Sequence, residues 1–198
     1  MRKFARAECP QALKDKGAEW TATLVERGRW TSWPQYKTRG LNQELLANGL
    51  RSQTQDHCSY CDITPVCPPS RETIDHFRPK SGAKGRLDLA FEWTNLFYCC
   101  DNCQQQKRED FEEALLKPDE PDYEFLKYFQ WEFATGRLLP SEVATQVDQH
   151  RAERTIELLK LNDKHPYWRV IKRNELAGHR PDSLDDCSYR DFLELALA

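Results

Sequence analysis

Long apolar runs are missing from this 198-residue chain. No stretch approaches the roughly 18 to 20 apolar residues that a membrane-spanning helix requires, so no membrane association is expected. An apolar leader is missing as well. The chain opens Met-Arg-Lys-Phe-Ala-Arg, which predicts a cytoplasmic protein in a reducing compartment. There is no excess of positive charge: the formal net charge is −3, which argues against a protein that coats nucleic acid through bulk electrostatics. No internal repeat and no low-complexity segment interrupts the chain, and its length suits one domain, or one domain with appended lobes.

What is present is charge and sulfur. Charged residues make up 31% of the chain and the mean hydropathy is −0.83, so much of it must be solvated or helical at the surface. Eight cysteines in a reducing compartment favour metal-binding thiols over disulfides. Four of them form two Cys-x-x-Cys pairs, Cys58/Cys61 and Cys100/Cys103. Two such knuckles a few dozen residues apart are what a closed tetrahedral zinc site needs. A closed site has no open position for chemistry, so the zinc is expected to be structural. Cys99 is read as packed, because only Cys100 and Cys103 have the two-residue gap. Cys9, Cys67 and Cys187 are read as small buried apolar groups.

The organisation falls into three segments. Residues 1–50 read as helical, starting near Glu8-Cys9-Pro10, with stripes at Leu13, Trp20, Leu24 and Val25 and at Leu41, Leu45, Leu46 and Leu50. Trp30, Trp33 and Tyr36 flank Pro34 in the loop between, as packing under the domain or as rings that stack on bases. Residues 51–116 hold the metal motifs: a loop over Pro65 to Pro69, a strand over Thr73 to Phe77, a loop or short strand over Leu87 to Phe91, and a helix over Gln104 to Leu116. Residues 117–198 suggest a hairpin turning at Thr135-Gly136. A helix capped by Ser141 and broken before Thr155 follows, then helices over Trp168 to Leu176 and Tyr189 to Leu197. The fold class is α+β, mainly α.

Between the two knuckles lies Thr73-Ile-Asp-His-Phe-Arg-Pro-Lys80. The adjacent Asp75 and His76 offer a carboxylate for a hard cation such as magnesium and an imidazole that can take a proton from water at neutral pH. Neighbouring strand residues point to opposite faces, but twist at a strand end lets both approach one phosphate. Around the pair cluster the cations Arg71, Arg78, Lys80, Lys84, Arg86, Lys107 and Arg108.

Cys58-x-x-Cys61, Asp75-His76-x-x-Pro79, Trp93-x-Asn95-Leu96 and Cys100-x-x-Cys103-x-x-x-Lys107 together resemble the HNH endonucleases of the zinc-knuckle kind. The resemblance implies a ββα-metal core stapled by zinc, with helical flanks and a β-hairpin. It makes Asp75 a ligand of a catalytic Mg2+ or Mn2+, His76 the general base, and Asn95 the residue that orients the histidine and pins the loop. Arg78, Lys80 and Lys107 become phosphate contacts. The family places Asn or His after the last cysteine as second ligand of the catalytic metal. Here the residue is Gln104, with Asn102 a nearby substitute.

The opening Met-Arg-Lys, the phrase Ile74 to Ser81 and Thr155 to Asn162 are similar to the HNH subunits of bacterial Septu-type and retron-associated anti-phage systems. That similarity implies an ABC-type ATPase partner, a DNA or RNA substrate and, in a retron, a reverse transcriptase with its nucleic acid. The rival reading is a zinc-knuckle adaptor that binds nucleic acid or protein without cutting. It leaves Asp75, His76 and Asn95 unexplained.

Overall fold

A computed structural model describes residues 1–66, 71–179 and 181–198, and the expectations for Cys67 and for most of the Pro65 to Pro69 loop lie outside these residues. Helix α1, Gln11–Arg27, follows Pro10 and closes at Gly28, whose φ of 67° is the left-handed conformation glycine takes without strain. A minimal hairpin, β1 (Gln35–Tyr36) and β2 (Arg39–Gly40), leads into α2, Leu41–Leu45, and a wide turn through Leu50. Leu41, Leu45, Leu46 and Leu50 are all buried, whereas Val25 of the first stripe is exposed.

The centre of the molecule is a second antiparallel hairpin. Strand β3, Glu72–His76, pairs with β4, Leu96–Cys100, in a register that sets Asp75 opposite Phe97 and His76 opposite Leu96. β4 is buried throughout, and it runs straight into α3, Asp101–Lys107. Here the structure corrects the sequence reading. The helix starts earlier than Gln104, with Cys100 as its cap and the Cys100 Sγ accepting from the Cys103 amide. It also stops at Arg108, whose φ of 51° turns the chain out of the helix. Phe111, Leu115 and Leu116 are buried from turns instead.

The last third carries α4 (Phe125–Tyr128), the hairpin β5 (Phe129–Glu132) and β6 (Arg137–Pro140), then α5 (Gln146–Leu158), α6 (His165–Leu176) and α7 (Arg190–Ala196). Helix α5 departs from expectation. Thr145, not Ser141, caps it by accepting from the Asp148 amide, and it runs unbroken through Thr155. The buried Thr155 hydroxyl instead accepts from the Leu116 amide. Val143 and Val147 are 92% and 71% exposed, so the helix entry buries no apolar stripe.

Among the described residues the three sheets have two strands each, and a lone two-stranded hairpin is marginal in water. What stabilises them is a shared core. One apolar cluster draws on residues from Met1 to Leu161, and a smaller one gathers Leu184, Tyr189, Phe192 and Leu193 beside Trp131. No helix among the described residues is long and apolar enough to cross a membrane.

Candidate metal centre and active site

The two knuckles meet. The sulfur atoms of Cys58, Cys61, Cys100 and Cys103 all lie within 4.8 Å of one another, and all four residues are buried. The Cys61 and Cys100 sulfurs are 3.8 Å apart, close to the ~3.8 Å edge of a tetrahedron built on Zn–S bonds of about 2.3 Å. The electrostatics fit the same group. Burial opposes a thiolate at Cys58, yet hydrogen bonds from Cys100, Cys103 and Cys61 bring its pKa well below that of a free thiol. Burial and hydrogen bonding push Cys61 well above it, and hydrogen bonding with burial does the same at Cys103. Four thiolates can share this space only around a cation, and a dication with a preference for sulfur suits the donor set.

The C-terminal region is strapped onto the first knuckle. Arg190 pairs with Asp62 at 2.6 Å, both side chains buried. Its amide also donates to that carboxylate, and the Tyr189 amide donates to the Asp62 carbonyl. From α6, the buried His165 approaches Tyr189, and Arg169 lies over the Trp131 and Tyr189 rings and donates to the Gly136 carbonyl. Burial brings Arg169 down to about 10, while Tyr189, Cys61 and Cys103 act to hold its charge. Nothing in residues 165–190 signals this role locally. It follows only from the long-range packing.

His76 closes β3 with only 4% of its surface exposed. Its Nε2 sits 3.0 Å from the Ala90 carbonyl oxygen, which makes Nε2 the protonated nitrogen and leaves the lone pair on Nδ1. The Lys80 ammonium is 3.4 Å from Nδ1 and 4.9 Å from the Trp30 ring. Trp33 stacks on the imidazole at 5.4 Å with 21° between planes, and Trp30 meets it edge-on at 5.5 Å. Burial, with the Lys80 charge beside it, pulls the His76 pKa down to about 3, so the ring is neutral across the physiological range.

Asp75 faces a different set of partners. The Tyr60 hydroxyl donates to its Oδ2 at 2.6 Å and the Lys107 ammonium lies 3.0 Å from the same oxygen. Burial raises its pKa, against the pull of Lys107 and Tyr60. Lys107 is fully buried and also donates to the His76 carbonyl at 2.8 Å. It was expected at a phosphate, but its place is inside the protein as the counter-charge of Asp75. Arg78, also expected at a phosphate, lies over the Phe111 ring and pairs with Glu113.

Asn95 pins the loop that follows β3. Its Oδ1 accepts from the Arg78 amide at 2.8 Å, and its Nδ2 donates to the carbonyls of Arg78 and Leu89, each at 3.0 Å. Its contacts are with backbone, so it acts on His76 through the Phe77-Arg78 segment that follows it and through the turn that leads to the Ala90 carbonyl. Gln104 donates from Nε2 to the Ile74 carbonyl at 3.0 Å, which leaves its Oε1 as the end that can ligate. Asn102 lies within reach of Lys164 instead, at 3.5 Å. Cys99 is packed against the Thr73 hydroxyl at 3.2 Å.

These features define an α+β, mainly helical protein with small hairpin sheets and a cluster of four cysteines able to hold zinc. No family model matches the chain. A protein of Vibrio cholerae serotype O1 biovar El Tor, named as a candidate HNH endonuclease of retron Vc95, is 22% identical over 130 residues, covering 62% of this chain and 60% of that protein. The chain therefore spans less than two thirds of the length of the curated relative it matches.

Proposed function

We propose that the chain is a metal-dependent endonuclease of the HNH type that hydrolyses phosphodiester bonds in DNA or RNA. The observation that carries this reading is the neutral His76, with Nε2–H fixed on the Ala90 carbonyl and the Nδ1 lone pair beside a lysine. The hairpin that holds it ends in a helix anchored by four clustered thiols, which supports reading β3, β4 and α3 as a ββα unit. The similarity to the Vibrio cholerae protein supports the same class.

His76 Nδ1 takes the proton from the attacking water. Lys80, half-buried between His76 and Trp30, swings its side chain so that the ammonium pairs with the substrate phosphate. That move puts a positive charge on the anion and takes one away from the base. Asn95 keeps the Arg78 and Leu89 backbone in place during this exchange. Asp75 and the Gln104 Oε1 would hold a Mg2+ or Mn2+ ion. Holding it requires the Asp75 carboxylate to turn from its buried pairing with Lys107 and Tyr60, and the ion would supply positive charge to the reaction when bound. Cleavage leaves a 5′-phosphate and a 3′-hydroxyl.

The protein works in the cytoplasm, where thiols stay reduced for zinc, as the effector of an anti-phage complex with an ABC-type ATPase. The word retron in the relative's name supports a reverse transcriptase and its nucleic acid as neighbours. With a net charge of −3 the chain has little counterion-release drive to grip nucleic acid unaided, so the ATPase supplies part of the grip. The test is cleavage of plasmid DNA and of bulk tRNA with Mg2+, by the zinc-loaded chain alone and co-expressed with an ABC-type ATPase from the same genome. Expected is weak cutting alone and strong cutting in the complex, with 5′-phosphate ends. Products that form equally well with His76→Ala overturn the nuclease reading. Separate elution of the two proteins, with full activity in the free chain, overturns the complex.

A further inference from the structure

We infer that Trp33 is a positioning residue for His76, holding the plane of the imidazole so that the Nε2 bond to Ala90 keeps Nδ1 toward the substrate side. The inference rests on the reading of His76 as the general base. An imidazole can rotate by half a turn about its Cβ–Cγ bond, which moves both nitrogens. The hydrogen bond from Nε2 to the Ala90 carbonyl restrains one edge of the ring and leaves its faces open. The faces are restrained by aromatic rings that come from the N-terminal loop, far away in sequence.

Trp33 lies nearly parallel to the imidazole at 5.4 Å, and Trp30 stands edge-on to it. The two indoles lock each other at 5.2 Å, 80° apart, and both lean on Phe91. Phe91 in turn packs against Trp20 of α1 at 5.7 Å. Offset-stacked and edge-to-face pairs are the arrangements aromatic quadrupoles favour, and His76 completes the cluster. Trp30 also lies under the Lys80 ammonium, so the same loop sets the cation and the base. Trp30 and Trp33 are only half-buried and belong to no helix or strand. Their placement is therefore not forced by an amphipathic pattern, and a general base misplaced by about an ångström can lose a hundredfold in rate.

The experiment compares zinc-loaded full-length wild type, Trp33→Leu and Trp33→Phe, with histidine labelled by 15N and the His76 signals assigned from His76→Gln. Leucine keeps apolar cover but removes the flat face, and phenylalanine keeps the face. Expected is a protected Nε2–H at His76 in wild type and Trp33→Phe, and solvent exchange about tenfold faster or more in Trp33→Leu, with zinc content unchanged. In the complex that cuts best, Trp33→Leu should lower the single-turnover rate at saturating nucleic acid by about ten- to a hundredfold. Its substrate Kd should stay within about twofold of wild type, since a ring-positioning residue acts on the chemical step. If Trp33→Leu yields no folded protein, Trp33→Met takes its place. An unaltered His76 Nε2–H signal in the flat-face-less variant overturns the inference. So does a wild-type rate in that variant while His76→Ala is inactive. If His76→Ala itself cuts normally, the general-base reading falls, and the ring-holding result is still read from the NMR.

Discussion

The Lys107 ammonium lies 3.0 Å from the Asp75 carboxylate, both side chains buried, and bonds the carbonyl of the next residue, His76. A single cation from α3 thus neutralises the acid and clamps the end of β3. Removing it strands a charge. Lys107→Met should destabilise the fold by about 3–5 kcal/mol, read as a lower urea midpoint. Asp75→Asn in the same chain should recover part of that loss. A single variant as stable as wild type would show that the pair carries no such weight.

Zinc should copurify at about one ion per chain. Structural zinc sites contribute on the order of 10–16 kcal/mol to small modules, and here the four sulfurs join the two knuckles at one point. Elemental analysis of protein grown without added metal checks the stoichiometry, and Cys100→Ser should give insoluble or unfolded chain. A metal-free protein with unchanged far-UV circular dichroism and unfolding midpoint would rule the site out as structural.

His76→Ala should lose cleavage by about 10²- to 10⁴-fold while keeping zinc and its far-UV spectrum. It leaves a gap beneath Trp33, so a modest fall in thermal midpoint is expected beside the kinetic loss. A loss of fold or of zinc would instead assign His76 to the core.

His165 gives a pH test away from the proposed base. Burial, with Arg169 nearby, pushes its pKa down to about 4, below the ~6.5 of an unfolded histidine. The unfolded chain therefore gains the proton first as pH falls below about 6.5, and stability is lost across the window down to about 4. Between pH 7 and 5 this one group should remove about 2 kcal/mol. His165→Asn should flatten that slope in denaturant titrations, and an identical slope in both proteins would contradict it.

Much of the scaffold was legible locally. The four cysteines announced their cluster through spacing, β3 through its alternation before Phe77, and α1 through Pro10 and the Leu13/Leu24 stripe. What escaped was decided by distant chain. Ser141 and Thr145 are both competent caps, and only packing of Gln149 against the Ser141 carbonyl and of Thr155 against Leu116 shows which one starts α5. The helix expected to run to Leu116 looked continuous in composition, yet Arg108 turns it so that Phe111 can pack under Phe77 and Arg78. Lys107 carried no sign that it would be buried, because its partner Asp75 lies on β3, far away in sequence. Trp30 and Trp33 were legible as aromatics in a loop, but not as the walls of an imidazole.

Arg6 shows how little of this molecule can be cut away. Its guanidinium pairs with Asp119, bonds the Trp93 and Leu96 carbonyls and lies 4.6 Å over Phe97, while Trp93 returns a bond to the Ala7 carbonyl. The chain's opening residues are thus the backing of β4. A shortened fragment over residues 51–116, the natural choice for a minimal reagent or a grafted cutting module, would hold every motif and lack Arg6, both indoles, His165 and Arg190. It would bring the right ligands to zinc around a hairpin with no outer wall. Transplanting this chemistry means carrying the flanks along, and even the Thr135-Gly136 turn is no free attachment point, because Gly136 is packed on Pro166 and accepts from Arg169.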